Sequence, residues 1–213
     1  MEERSIIVQR TARYHVMGDA AKAKSIWIVL HGYGHLARFF LNGFDGLEED
    51  RFIVAPEALS RFYTNNDFTR VGASWMTRED REHEIADQIS YLDSLLAQVR
   101  TACPKATEVG ALGFSQGVST LCRWTVHGSA APDRIVIWGG SMPPELEAER
   151  LGERWRSARI DLVHGIEDPV VKQDVLARNE AALRAAGLEF NTHRFHGGHE
   201  LDSVTLEKVM GTY

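Results

Sequence analysis

Short apolar runs rich in β-branched residues alternate with helix-like segments along this chain, and this alternation constrains the fold more than any other feature. The strand-like runs are residues 25–30, 52–55, 108–114, 134–138, 160–164 and 189–195. Helical patterns cover residues 36–47, 145–159, 170–186 and 201–209. A further helix is predicted after a capping-box pattern at residues 77–80, and another begins at Ser115. Such alternation predicts a mostly parallel sheet covered by helices on both faces. The 213 residues, 44% of them apolar, are expected to form a single domain, 1–213.

Charge and composition narrow the range of partners. The formal net charge is −6, and the basic residues are scattered among acidic ones rather than gathered in a stripe, which argues against nucleic acid as a partner. Residues 1–4 lack the pattern of a secretory signal, and no apolar run approaches the roughly 20 residues that span a bilayer. We expect a cytoplasmic protein without stable membrane insertion, and a homodimer is the protein partnership to test. Cys103 and Cys122 are too few for a disulfide framework.

Three further segments carry local expectations. Residues 5–9 and 12–17 have the pattern of two short strands in a hairpin at a sheet edge. Residues 56–76 show little periodicity but contain four aromatic side chains, which indicates either a binding loop or lid, or a surface loop pinned by its aromatics. Residues 145–159 are highly charged, and we predict a solvated helix there.

The motif Gly113-Phe114-Ser115-Gln116-Gly117 joins a strand-like run to a helix-like run. Glycines on both sides of the serine allow a sharp strand-to-helix turn that presents the hydroxyl above the carboxyl edge of the sheet. The first amides of the following helix point at the same place, where the helix dipole favours negative charge. The Gln116 N–H is therefore a candidate oxyanion donor. A serine hydroxyl still needs a histidine base and a carboxylate that orients the histidine.

Candidates for both partners follow later strands, at the sheet edge where open α/β sheets place their sites. Asp168 lies where a loop turns into a helix, and we favour it over Glu167 as the orienting carboxylate. His196 and His199 share a glycine-rich loop, and position alone favours His199 while leaving His196 open. Serine, aspartate and histidine then occur in the chain order used by α/β-hydrolases. The loop after residues 25–30 supplies the Tyr33 N–H as a second oxyanion donor.

Four motifs follow one another along the chain, at residues 30–32, 113–117, 164–171 and 198–201. Together they resemble the phospholipase/carboxylesterase family of α/β-hydrolases, which includes the acyl-protein thioesterases, and the resemblance covers nearly the whole chain. It implies an α/β-hydrolase fold without a large cap domain, hydrolysis of carboxylic esters, and no cofactor. It also implies Ser115, Asp168 and His199 as the catalytic triad, which raises His199 well above His196.

The chain departs from the family pattern in three places. The elbow continues with Val118 where a second glycine is common, the loop after His31-Gly32 lacks a Gly-Asp stretch, and residues 58–72 replace a proline-rich segment. We therefore expect small or short-acyl esters as substrates, with thioesters and lysophospholipids as further candidates. Since no large cap is predicted, the loop at residues 56–76 shapes the acyl pocket in this interpretation. From that loop we assign Tyr63, Trp75 and Met76 to the pocket.

Other classes of function compete with this interpretation. Gly32, Gly34 and Ala37 match a G-x-G-x-x-A dinucleotide fingerprint, with Glu57 placed as the ribose-binding acid. A non-catalytic binding protein on the same fold is the other alternative.

Metal sites are a weaker possibility. Residues 193, 196 and 199 are histidines at a ligand-like spacing, but no fourth ligand is evident. The helix around His83 lacks the second histidine of a zinc protease. We therefore predict no metal site.

Overall fold

The computed structural model describes residues 1–211, and a seven-stranded sheet forms its centre. The strands of this sheet and of a separate two-stranded hairpin, β4–β5, are β1 (Tyr14–Met17), β2 (Ser25–Leu30), β3 (Arg51–Pro56), β4 (Ser60–Tyr63), β5 (Val71–Ser74), β6 (Glu108–Phe114), β7 (Arg134–Trp138), β8 (Arg159–Gly165) and β9 (Asn191–Phe195). The sheet order is β1-β3-β2-β6-β7-β8-β9, with β1 antiparallel and the other pairs parallel. The prediction of a mostly parallel sheet is confirmed.

Helices cover both faces of this sheet, as predicted. They are α1 (Ala37–Phe40), α2 (Arg81–Ala102), α3 (Gln116–His127), α4 (Ala148–Trp155), α5 (Gln173–Ala185) and α6 (Ser203–Met210). One apolar layer packs α2 to α5 against the sheet, and a second packs α1 and α6 against the opposite face. All six residues of β2 are buried, because a central parallel strand is covered on both sides. Among residues 1–211 no inserted cap domain is evident.

The amino-terminal part of the chain differs from its predicted structure. Residues 5–9 form no strand, and β1 pairs with β3 at the sheet edge instead of forming a hairpin with them. The helix predicted over residues 36–47 is reduced to the single turn α1 followed by a 3₁₀ turn, Leu41–Phe44. Asn42 and Gly43 lie in that turn and are poor helix formers.

Residues 56–76 are more ordered than their sequence indicates. Strands β4 and β5 form an antiparallel hairpin in register from Ser60 opposite Ser74 to Tyr63 opposite Val71. Side chains of the connecting turn bond back to its own backbone, with Asn65 Oδ1 accepting from the Arg70 N–H at 2.9 Å. Such local bonds stabilise a turn without requiring regularly spaced apolar residues, so the sequence pattern did not reveal the hairpin.

Two helix predictions also need correction. The prediction of a capping box at residues 77–80 is wrong. Helix α2 begins at Arg81, and the preceding Asp80 has left-handed backbone angles and no side-chain cap bond. The Thr77 hydroxyl instead accepts from the nearby Glu79 N–H. The segment 145–159 is not solvated all round, since α4 buries Leu151 and Trp155. None of the helices described within residues 1–211 has the length and apolar character needed to cross a membrane.

Candidate active site

Ser115 occupies the sharp turn between β6 and α3. Its backbone has φ 56° and ψ −118°, a left-handed φ that a non-glycine residue adopts only where the surrounding structure enforces it. The turn is tight because a Cβ on Gly113 would lie 2.6 Å from the Gly117 carbonyl oxygen, and one on Gly117 would lie 2.3 Å from the Leu30 carbonyl oxygen. Both glycines of the motif are therefore sterically required.

The structure brings Ser115, His199 and Asp168 into one chain of hydrogen bonds. The Ser115 Oγ lies 2.8 Å from His199 Nε2, and His199 Nδ1 lies 2.7 Å from Asp168 Oδ2. Asp168 follows β8 and His199 follows β9, so the carboxyl ends of three parallel strands supply the three side chains. With the proton on Nδ1 donated to Asp168, Nε2 is free to accept the serine proton.

Asp168 is held as a carboxylate. Burial of its side chain, which is 1% exposed, acts to raise the pKa, but hydrogen bonds from the Val171 N–H, the His199 ring and the Val170 N–H outweigh burial and lower the pKa below its usual range. An ionised Asp168 fixes the histidine tautomer and stabilises positive charge on the ring.

The competing histidines have other environments. His196 is exposed and has no hydrogen bond among the described residues. His31 is fully buried: its Nδ1–H donates to the Gly32 carbonyl and its Nε2 accepts from the Ala58 N–H at 3.1 Å. Burial lowers the pKa of His31 to about 4, which keeps the ring neutral. His193 bonds to Asp161 at 2.8 Å.

The two candidate oxyanion amides flank Ser115. A Cβ on Gly32 would lie 3.2 Å from Ser115 Cβ, which places the loop carrying Tyr33 directly against the serine. Gln116 is the first residue of α3. Within residues 1–211 neither the Tyr33 nor the Gln116 N–H has a protein acceptor, so both amides are available to a ligand.

Two residues that sequence reasoning missed support this arrangement. The Trp138 carbonyl accepts from the Ser115 N–H at 2.9 Å, and its indole N–H donates to the Glu200 carbonyl at 2.8 Å, so one residue links the serine turn to the histidine loop. Asn179, 4% exposed, donates to the Gly140 carbonyl and accepts from the Met142 N–H. In the sequence, its signal was an asparagine within an otherwise helical pattern.

The assigned pocket residues occupy different positions. Trp75 is 2% exposed, its indole N–H donates to the His31 carbonyl at 2.8 Å and its ring packs on His31, so it anchors its segment in the core. Met76 is half-buried, and its carbonyl accepts from the Gln116 side chain. Tyr63 is exposed on β4. The pocket role of Tyr63 and Met76 stays a prediction, while Trp75 is better described as a structural residue.

The structure weakens the nucleotide and metal alternatives. Glu57, the acid required for ribose binding, is 1% exposed and pairs with Arg13 at 2.6 Å and Arg61 at 3.1 Å. The helix after the fingerprint is one turn long, too short to provide a strong dipole for phosphate. No group of three or more His, Cys, Asp or Glu side chains in the described part of the chain could hold a metal ion.

Comparisons with known proteins give a consistent family and fold. The model of a family described as phospholipase/carboxylesterase matches residues 12–211. No curated protein matches the chain in sequence.

Among solved structures, a carboxylesterase from Mesorhizobium loti has a TM-score of 0.74 at 14% identity, covering 92% of this chain and 93% of that chain. Acyl-protein thioesterase 2 of Zea mays has a TM-score of 0.71 at 20% identity, covering 94% and 96%. The Bacillus cereus carboxylesterase has a TM-score of 0.70 at 16% identity, covering 93% and 92%. At these identities the likeness shows a shared fold.

Proposed function

Because the chain belongs to the phospholipase/carboxylesterase family, we propose that it hydrolyses carboxylic esters through a Ser115-His199-Asp168 triad and an acyl-enzyme. The predicted α/β-hydrolase fold is confirmed by the family match and the sheet, and no large cap domain is evident among residues 1–211. The observation that carries the triad proposal is the continuous hydrogen-bond chain from Ser115 Oγ through His199 to Asp168, at 2.8 and 2.7 Å.

The reaction follows from that geometry. His199 Nε2 takes the proton of the Ser115 hydroxyl as Oγ attacks the ester carbonyl carbon, and Asp168 stabilises the resulting imidazolium. The Tyr33 and Gln116 N–H groups donate to the carbonyl oxygen as it becomes negative. His199 then gives its proton to the departing alcohol. In the second half, His199 activates a water that attacks the acyl-enzyme, and carboxylic acid and free Ser115 are released.

We propose small or short-acyl esters as the substrate class, with thioesters and lysophospholipids as further candidates. The departures at Val118, in the loop after Gly32 and in residues 58–72 support this choice over long-acyl protein substrates. Because the similar Zea mays structure is an acyl-protein thioesterase, thioesters belong in a substrate panel. We also propose a single domain over residues 1–213, a cytoplasmic location and, as the oligomer to test, a homodimer.

The test is labelling with a fluorophosphonate probe, read by mass spectrometry on wild type, Ser115→Ala, His199→Ala and His196→Ala. We expect adduct formation in the wild type and His196→Ala, and none or strongly slowed labelling in the other two. An ester and thioester panel of increasing acyl length then defines the substrate. Folded wild-type protein that takes no label and hydrolyses no ester would contradict the proposal and return attention to a non-catalytic binding protein.

A further inference from the structure

The loop that carries the Tyr33 amide is closed by one backbone bond of its own, from the His35 N–H to the Gly32 carbonyl at 3.2 Å. This oxyanion loop, residues 32–35, contains two glycines, and Gly34 has a φ of +75°. Glycine backbones are conformationally permissive, and the Tyr33 N–H has no protein acceptor among residues 1–211 that would fix its direction. The Gly32 carbonyl, which shares a peptide plane with the Tyr33 N–H, accepts from the His31 ring at 2.7 Å, and this bond restrains the plane from one side. The remaining restraint comes from contacts that the rest of the loop makes.

The β4–β5 hairpin supplies those contacts along the backbone. The Gly34 N–H donates to the Ala73 carbonyl at 2.9 Å, and the Ala73 N–H donates to the His35 carbonyl at 3.1 Å. The approach is so close that a Cβ on Gly72 would lie 2.4 Å from the Gly34 carbonyl oxygen. These bonds fix the loop on the carboxyl side of Tyr33.

Tyr33 itself is held by its side chain. Its ring lies against the Phe62 ring of β4, with centroids 5.1 Å apart and planes inclined by 30°. Fixing the ring restrains the Cα–Cβ bond of Tyr33 and so limits movement of the Cα atom that is bonded to the Tyr33 N–H group. We propose that Phe62 is a positioning residue that, through this ring contact, holds the Tyr33 amide in place for the oxyanion. The inference rests on the proposed function, in which that amide is a donor.

The Tyr33–Phe62 ring contact is expected to affect kcat more than the free energy of unfolding. The Tyr33 residue is 60% exposed and Phe62 is only half-buried, so the pair adds little to the core. The same hairpin offers a matched control, because Phe68 packs its ring against Tyr63 at 5.2 Å and makes no ring contact with the oxyanion loop. Removing one ring from each pair separates positioning of the loop from general loss of an aromatic contact.

The experiment compares Phe62→Ala, Phe62→Tyr and Phe68→Ala with wild type, measuring kcat and KM on p-nitrophenyl acetate. It also measures inhibition by a trifluoromethyl ketone, which forms a tetrahedral oxyanion adduct with the serine. From the typical strength of aromatic pairs, we expect Phe62→Ala to lower kcat about fivefold to tenfold and to weaken the inhibitor by a similar factor. In Phe62→Ala, KM should stay within about twofold, and Phe62→Tyr should keep the wild-type kcat. Phe68→Ala should keep the wild-type kcat and inhibitor affinity, so that any effect through the predicted Tyr63 pocket contact is confined to KM.

A double-mutant cycle keeps the inference testable if either ring has other roles. Tyr33→Ala keeps the amide but removes the ring, so Tyr33→Ala with Phe62→Ala should lower kcat no further than one substitution alone. Thermal unfolding of each variant checks that the fold persists.

The possible failures are distinguishable. Equal kcat in Phe62→Ala and Phe68→Ala, a loss confined to KM, or additive losses in the cycle would overturn the positioning role while leaving the esterase proposal intact. A wild type without ester hydrolysis or ketone binding would overturn both.

Discussion

At the scale of single residues, the Asp168 carboxylate stands where three hydrogen-bond donors converge: two backbone amides and the His199 ring. The amides bind Oδ1 and the ring binds Oδ2, so each oxygen has a separate task. The amides hold the carboxylate in position, and the remaining oxygen orients the histidine. An amide side chain at this position would keep the shape but could offer its NH₂ group to Nδ1.

We therefore expect Asp168→Asn to lower kcat by about 10⁴-fold, because the wrong histidine tautomer leaves no base for Ser115. Steady-state ester hydrolysis measures this directly. The matched control is Glu167→Gln, which neutralises the exposed neighbouring carboxylate and should leave kcat unchanged. Comparable losses in both variants would argue against Asp168 as the orienting group.

His31 gives the folded state a pH dependence. Its ordinary pKa of 6.5 falls to about 4 on folding because the ring is buried. Below pH 6.5 the unfolded chain binds a proton that the folded chain does not, so stability is full above pH 6.5 and is lost as pH falls toward 4. At about 1.4 kcal/mol per pH unit, the loss amounts to about 3 kcal/mol.

Urea unfolding at pH 7 and pH 4 should show this loss in wild type and a smaller one in His31→Gln, which removes the titrating group. His31→Gln should also be less stable at pH 7, because the ring bonds to Gly32 and Ala58 are disturbed. The control is His196→Gln, which replaces an exposed histidine with the same residue. Equal pH dependence in His31→Gln and wild type would contradict the assignment.

At the scale of elements, α5 is tied to the loop after β7 by Asn179. This loop lies against the site, since a Cβ on Gly140 would sit 2.3 Å from the Ser115 carbonyl oxygen. Asn179 bonds both the Gly140 carbonyl and the Met142 N–H from a buried position. Loss of its amide would leave two backbone groups without partners.

Asn179→Ala should lower the free energy of unfolding by about 2–3 kcal/mol, because unsatisfied buried polar groups add to the lost hydrogen bonds. Asn65→Ala removes the same side chain from the exposed hairpin turn, where water replaces its bonds, and should cost about 1 kcal/mol or less. Chemical denaturation of both variants makes the comparison. Similar losses would mean that Asn179 contributes no more than a surface turn residue.

At the scale of the whole molecule, two apolar layers share one sheet. The first contains Trp75, Trp124 and Trp155, the second contains Trp27 and Trp138, and all five are at most 2% exposed. Because β2 and β6 contribute side chains to both layers, neither layer can open without disrupting the strands that support the other.

We expect one cooperative unfolding transition, as predicted for a single domain. Tryptophan fluorescence and far-UV circular dichroism should give the same denaturation midpoint. Separate midpoints would indicate that the layers unfold independently. Sedimentation velocity on the same sample tests whether the protein forms a homodimer.

The sequence by itself determined the features that depend on local patterns. Apolar runs without alternation predicted buried parallel strands, and helical periods between them predicted helices on both faces; both predictions are confirmed. The glycines around Ser115 predicted the sharp turn, because backbone geometry at such a turn is a property of adjacent residues. The ordered motifs were also sufficient to identify the family.

Tertiary structure alone decided which distant side chains meet. Ser115 and His199 are 84 residues apart, and although chain order and the family resemblance predicted the pair, position alone left His196 open until strand order brought the His199 ring to Ser115. Contacts between distant elements also determine the pairing of the hairpin with the oxyanion loop, the burial of Trp75 and the bonds of Asn179, so none of these was predicted from the sequence. In periodic segments the local pattern reports which residues are buried, but a packing or hydrogen-bond partner from another element becomes defined only when the chain has packed.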